Sequence, residues 1–167
     1  MNFLGGTISE KIDLTFTSDK SELTFNFSSE QKSYLKEYIG QEVVIGIRPE
    51  DLSIEKTNIK SIELECVLDV IEPMGNETFI YFEIEKVQFI ARVKPLYDIK
   101  VGGKIKLYID PEKIYLFDKN YKIMWEKNYK SHGQDSSTKE RYELFFLLHV
   151  TSYKYCLEHS ECKIYVP

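Results

Sequence analysis

Two neighbouring stretches, KIDLTFTS at residues 11–18 and ELTFNFS at residues 22–28, limit the fold most. In the first, Ile12, Leu14 and Phe16 alternate with Asp13, Thr15 and Thr17; in the second, Leu23, Phe25 and Phe27 recur at every other position. A period of two puts the apolar set on one face of a strand and the polar set on the other. The Ser18-Asp19-Lys20 triplet between them has hairpin-turn chemistry, since short polar side chains hydrogen-bond the backbone locally. A hairpin with one buried face is therefore expected near the start of the chain.

Short strand-like runs continue to residue 118: EVVIGIR, SIELECVLDVIE, TFIYFEIE, VQFIARV, KIKLYI and KIYLF. Breaks between them fall at Gly75-Asn76-Glu77, Lys94-Pro95 and Gly102-Gly103. The 12 Tyr and 10 Phe also favour strands over helices. Only EQKSYLKEYIG, residues 30–40, has helical patterning; Ser28 or Ser29 is placed to cap it and Gly40 to stop it. Many short strands with one short helix predict a mainly all-β chain made of small closed or partly open barrels of the OB-fold type. The polar segment EKTNIKS, residues 55–61, is a natural connector, so each half around residue 55 has the material for one barrel.

Residues 120–167 break this pattern. They hold all three histidines, the single tryptophan and two of the three cysteines, with one glycine and only a terminal proline. Residues 1–119 carry 15 basic and 21 acidic side chains, whereas the remainder carries 7 and 6. The expected organisation is a barrel region at 1–119 followed by a tail at 120–167 of unassigned structure.

Several chemistries find no support in the residues. The net charge of −5 opposes a nucleic-acid binder that relies on a basic field. The GGKI at residues 102–105 lacks the earlier glycine and the Ser or Thr of a phosphate loop, and reads as a hairpin turn. No G-x-S-x-G elbow occurs, and no histidine precedes His132. Pairs such as Glu50 with Asp51, or Glu83 with Glu85, read as solvated acids rather than a catalytic couple. In the tail, Cys156, His159 and Cys162 have metal-compatible spacing, with His149, His132 or an acid as the fourth ligand. Without a second C-x-x-C, free thiols are the simpler reading. No signal peptide is visible, and the longest apolar run, LFFLLHV at residues 144–150, is shorter than the roughly 20 residues of a spanning helix. A cytoplasmic protein with no metal and no cofactor is expected.

Three stretches then occur in a telling order: MNFLGGTI at residues 1–8, IGIRPEDL at 45–52 and VIEPMGNETFIYFEI at 70–84. Together they resemble the C-terminal regulatory region, the TOBE domain, of ATP-binding subunits of sugar-importing ABC transporters of the maltose and multiple-sugar type. KIKLYIDPEKIYLFD at residues 104–118 is similar to the final strand pair of that family. The resemblance covers residues 1–119. It implies an OB-type fold and a regulatory, dimer-stabilising role. The implied partners are a second copy, the transporter's ATPase and membrane subunits, and regulatory proteins, with no nucleic acid and no membrane insertion. Family members carry a nucleotide-binding domain before this point, and here none is present, so Met1 is read as an internal methionine serving as a start. The chain is then expected to be a truncated or split gene product, or a piece expressed alone, that neither binds nor hydrolyses ATP. The tail has no counterpart in the family pattern.

Two clusters are the candidate interaction residues. Arg48 precedes a proline, which pushes it to an extended conformation and lets it finish a strand. Pro49 then starts a short helical turn with Glu50 and Asp51 at its positive end, and an Arg48–Glu50 pair is expected. Gly75 supplies a turn, Asn76 tolerates left-handed geometry and Glu77 stands at its exit. By resemblance, Gly75, Asn76 and Glu77 look toward partner subunits. Two other classes stay open. One is an oxyanion-binding module like the barrels of molybdate systems; the other is a single-strand binder stacking bases on Tyr81, Phe82 and Phe89.

Overall fold

The computed structural model describes residues 1–10, 12–20 and 22–120, and the backbone of residues 123–125. The readings placed on Cys156, His159, Cys162, His149, His132 and residues 144–150 lie outside the described residues.

The alternating segments become strands β1 (Asn2–Glu10), β2 (Leu14–Ser18) and β3 (Thr24–Asn26). β1 pairs antiparallel with β2, and β2 with β3. Leu14, Phe16, Leu23, Phe25 and Phe27 are buried as the period requires. Ile12 is not. It is fully exposed because β2 begins only at Leu14, leaving Ile12 in the preceding bend.

One helix follows, α1 (Ser29–Leu35). Ser28 is its N-cap: its hydroxyl accepts from the Gln31 N–H, and the Gln31 Oε1 accepts from the Ser28 N–H at 2.8 Å. This reciprocal box leaves two helix-end donors satisfied. The expected helix over residues 30–40 is shorter, tightening into a 3-10 turn at Lys36–Tyr38 before Gly40, whose φ is +79°. Gln31 is fully buried, and its Nε2 donates to the Pro111 carbonyl at 2.8 Å.

Next come β4 (Glu42–Ile47), β5 (Leu52–Ser53), β6 (Ile62–Val67), β7 (Val70–Pro73), β8 (Thr78–Ile84), β9 (Val87–Val93), β10 (Lys104–Ile109), β11 (Tyr115–Asp118) and β12 (Ile123–Trp125). They form one six-stranded sheet in the order β12-β11-β4-β1-β2-β3 and two three-stranded sheets, β5-β10-β6 and β7-β8-β9. The fold is mainly β with one short α-helix, as the sequence predicts. The halves around residue 55 are not independent, however. β11 leaves the second half and pairs with β4, Leu116 opposite Ile45, inside the first sheet. β10 and β11, expected as a final strand pair, therefore sit in different sheets.

A single apolar cluster runs from Leu4 and Phe16 through Ile80, Phe82 and Phe89 to Leu116. Phe82 and Phe89 are fully buried, with ring centroids 5.7 Å apart. Each such side chain contributes about 2–3 kcal/mol by leaving water. Neither ring is available to stack a base, which removes two of the three aromatics that a single-strand binder would use.

Two consequences can be checked. A Cβ on Gly6 would lie 2.5 Å from both the Phe16 ring and the Thr17 carbonyl. Gly6→Ala is therefore expected to cost about 1–3 kcal/mol in urea unfolding, because the β1–β2 contact must open. Cys66, 6% exposed on β6, has its thiol pushed up to about 11, first by burial and then by Asp69 and Glu65. At pH 8 its alkylation in the native protein, followed by mass spectrometry of its peptide, should run about 100-fold slower than in urea.

Candidate functional site

The Arg48 corner forms as its residue types dictate. β4 runs to Ile47, Arg48 is extended (φ −72°, ψ 145°), and Pro49–Asp51 make one 3-10 turn, closed by the Asp51 N–H donating to the Arg48 carbonyl at 3.0 Å. Pro49 fits because its fixed φ suits the first position and its missing N–H would have no partner there. Arg48 does not reach back to Glu50. Its guanidinium lies over the Tyr115 ring, 4.9 Å from the centroid, since β11 sits beside β4. Asp51 pairs with Lys113 at 3.1 Å, which ties this corner to the turn before β11. Glu50 remains exposed.

Gly75 has φ +89°, and an added Cβ there would meet nothing within 4 Å, so the requirement at this position is conformational. Asn76 does not adopt the left-handed region; among the described non-glycine residues only Glu85 and Lys86 do. A positive φ at the first of two loop positions is the type II′ pattern, which demands glycine there and leaves the second position ordinary. The Met74 N–H closes the loop on the Glu77 carbonyl at 2.8 Å. Glu77 pairs with Arg92 of β9, Oε2 to Nε 3.4 Å, while Gly75 and Asn76 are exposed.

The two clusters are not brought into one site. Among the described residues, no ion pair or hydrogen bond joins the Arg48–Glu50 corner to the Gly75–Glu77 turn, although the 3-10 turn packs on β9 and Glu77 pairs with it. No group of three or more His, Cys, Asp or Glu among the described residues is arranged to hold a metal. No described helix is long and apolar enough to cross a membrane.

The polar groups that do converge join the two halves of the chain; the sequence reading passed over Asn2 and took Glu85 for a solvated acid, whereas Glu85 is buried and hydrogen-bonded across the halves. Asn2 is 5% exposed; its Nδ2 donates to the Ile47 carbonyl at 3.1 Å and the Ile90 carbonyl at 2.9 Å, and its Oδ1 accepts from the Ile90 N–H at 2.7 Å. One side-chain amide thus serves the outward backbone of β9 as a neighbouring strand would. Glu85 lies in the two-residue turn between β8 and β9, where both Glu85 (φ 56°) and Lys86 (φ 68°) are left-handed. Its buried Oε1 accepts from the Ser18 hydroxyl, from the Lys20 N–H at 3.0 Å and from the Glu22 N–H at 3.2 Å. In return the Glu85 N–H donates to Glu22 Oε2 at 2.9 Å. The spacing of two strand runs by two residues was the available signal for this turn.

Comparison with known proteins agrees with this architecture. Residues 1–52 match the model of the MalK OB fold domain, and residues 45–117 match that of the TOBE domain. The oligosaccharides import ATP-binding protein MsmX of Bacillus subtilis is 35% identical over 91 residues, spanning 53% of this chain and 25% of that protein. The trehalose/maltose import ATP-binding protein MalK of Thermococcus litoralis is 28% identical over 125 residues, 71% of this chain and 32% of that protein. The chain thus spans only about a quarter to a third of the length of these relatives. In fold it is similar to the cytoplasmic molybdate-binding protein ModG, with a TM-score of 0.53 at 15% identity over 69% of this chain and 94% of that one. Two overlapping family matches, in the order of the three motifs and on an OB-type sheet arrangement, show that residues 1–117 carry a MalK-type OB fold domain followed by a TOBE domain, the region in which the chain is similar to sugar-import ABC ATP-binding subunits.

Proposed function

We propose that the chain acts as a regulatory and dimer-stabilising region of an ABC transporter ATP-binding subunit for carbohydrate import, peripheral to the inner face of the cell membrane. The observation that carries this reading is the uninterrupted pair of family matches over residues 1–117, shared with ATP-binding proteins of sugar importers. Under it, two copies keep two ATPase subunits together while the nucleotide-binding domains open and close, and regulatory proteins act through exposed corners. Arg48, Glu50, Gly75, Asn76 and Glu77 are the candidate contacts for those partners. Catalysis of ATP hydrolysis belongs to a nucleotide-binding domain, so the 167-residue chain alone should release no phosphate above a buffer control.

The test is a domain exchange. Residues 1–119 replace the matching region of MsmX, and oligosaccharide uptake is measured in a strain without its own subunit. Uptake within a few-fold of the parent supports the reading; loss of uptake by a soluble chimaera that still hydrolyses ATP overturns it. Titration calorimetry with molybdate and sulfate addresses the alternative role as an oxyanion-binding module. No binding heat is expected, and saturable heat at micromolar anion would favour that alternative.

A further inference from the structure

A cavity of about 380 Å³ lies where the two halves of the chain meet. The first half lines it with Phe25, Asn26 and Phe27, and the second half with Asn58, Lys60 and Asp110. Its volume falls within the range of small-molecule sites, about 300–1,000 Å³. The bond from Gln31 Nε2 to the Pro111 carbonyl fastens the two linings to each other, since Pro111 is also part of the wall.

The chemistry of the lining is mixed. Phe25 and Phe27 are 6% and 3% exposed, and their rings form an edge-to-face pair with centroids 5.4 Å apart. They give the cavity an apolar floor against which the C–H side of a small saturated ring can pack. Around that floor several polar groups have capacity to spare. Asn26 Oδ1 is taken by the Thr15 hydroxyl at 2.9 Å, and Asn58 Oδ1 by the Lys60 N–H at 3.2 Å. The Nδ2 groups of both asparagines and the Lys60 ammonium make no hydrogen bond among the described residues. Asp110 Oδ1 accepts from the Glu112 N–H at 3.0 Å, which leaves Oδ2 as an acceptor beside those donors.

We propose that this cavity binds a neutral sugar of one or two rings. Each sugar hydroxyl both donates and accepts, so adjacent hydroxyls suit spare amide and ammonium donors next to a spare carboxylate oxygen. An inorganic anion can use only the donors. It also meets three lining carboxylates, Asp13, Asp110 and Glu112, against two lysines, of which Lys32 is already paired with Asp13. A purely apolar ligand leaves all the spare polar groups unmatched. A sugar held by both halves stabilises the junction between them, and its chemical class is that of the cargo named for the importer relatives. Sensing of the imported cargo by this region rests on the proposed importer role; the binding itself does not.

Two-dimensional amide NMR of the isotope-labelled full chain tests it, with maltose, glucose and inorganic phosphate as probes. Maltose or glucose is expected to shift the amides of Asn26, Asn58 and Lys60 saturably, with a Kd on the order of 1 mM. The double variant Asn26→Ala with Lys60→Ala removes two donors at exposed positions, so the rest of the spectrum should hold while the sugar binds at least about 5-fold more weakly. No shift at about 50 mM of either sugar overturns the proposal. Shifts that the double variant leaves unchanged overturn it too, because the sugar then sits elsewhere. Phosphate that shifts the same amides at lower concentration than either sugar makes the cavity an anion site instead. Sugar binding by a chain whose domain exchange abolishes uptake keeps the site and removes the importer role, whereas failed binding with uptake intact removes only the site.

Discussion

Replacing Asn2 by leucine is expected to lower the unfolding free energy by about 3–4 kcal/mol, far more than deleting an exposed amide would. The side chain satisfies the Ile90 N–H and carbonyl and a second acceptor at Ile47, in a position only 5% exposed. Leucine fills the space but leaves these groups without partners, and each unsatisfied buried group costs about 1–3 kcal/mol. Asn2→Asp separates polarity from volume. It keeps an acceptor for the Ile90 N–H but loses both donor contacts and turns a carboxylate toward two carbonyls, so it should destabilise at least as much as leucine. Urea unfolding measures both, and a loss below about 1 kcal/mol for either would contradict the bridging role.

The second large effect lies at Glu85. Glu85→Ala should cost about 2–4 kcal/mol, because the Ser18 hydroxyl and the N–H groups of Lys20 and Glu22 lose their common acceptor. Glu85→Gln keeps an oxygen at that place and should cost about half as much. The pH dependence distinguishes charge from geometry. Burial pushes the Glu85 carboxyl up, but the hydrogen bonds from Ser18, Glu22 and Lys20 and the Lys20 charge outweigh it, so the folded value lies below the ordinary 4.5. A depressed carboxyl pKa contributes stability that is complete above about 4.5 and is lost as the pH falls through the folded value. The Glu22 carboxylate accepts from the Glu85 N–H and the Lys20 ammonium donates to the Glu85 carbonyl, so both face the same turn. The parent's melting temperature should therefore fall more steeply than that of Glu85→Gln between about pH 5 and pH 3. Parallel curves would assign the acid sensitivity to the neighbouring acids instead.

These two residues also explain how far reading the sequence could reach. Strands and their faces were legible wherever alternation lasted several residues, as at Leu14 and Phe16 or Leu23, Phe25 and Phe27. The failure at Ile12 came from a boundary: periodicity names a face but does not say where pairing begins. A serine cap at Ser28 or Ser29 and the Pro49 turn were legible because they depend on residues close in the chain; the structure chose Ser28 and added its Gln31 partner. The Arg48–Glu50 pair was expected from that same proximity. It lost to the Tyr115 ring, 67 positions away in the chain, which only the β4–β11 pairing brings beside Arg48.

The sequence by itself determined the all-β class, the short capped helix, the glycine turn at Gly75 and the OB and TOBE domains that residues 1–117 match. Each of these is carried by local spacing or by motifs in order. The tertiary structure alone decided that β11 completes the first sheet, that Asn2 stands in for a strand beside β9, and that Glu85 clamps the β2–β3 hairpin. The physical reason is that a side chain's partners across a sheet are set by register between strands distant in the chain. Nothing in the neighbouring residues encodes that register until the common core of Phe16, Phe82 and Leu116 is packed.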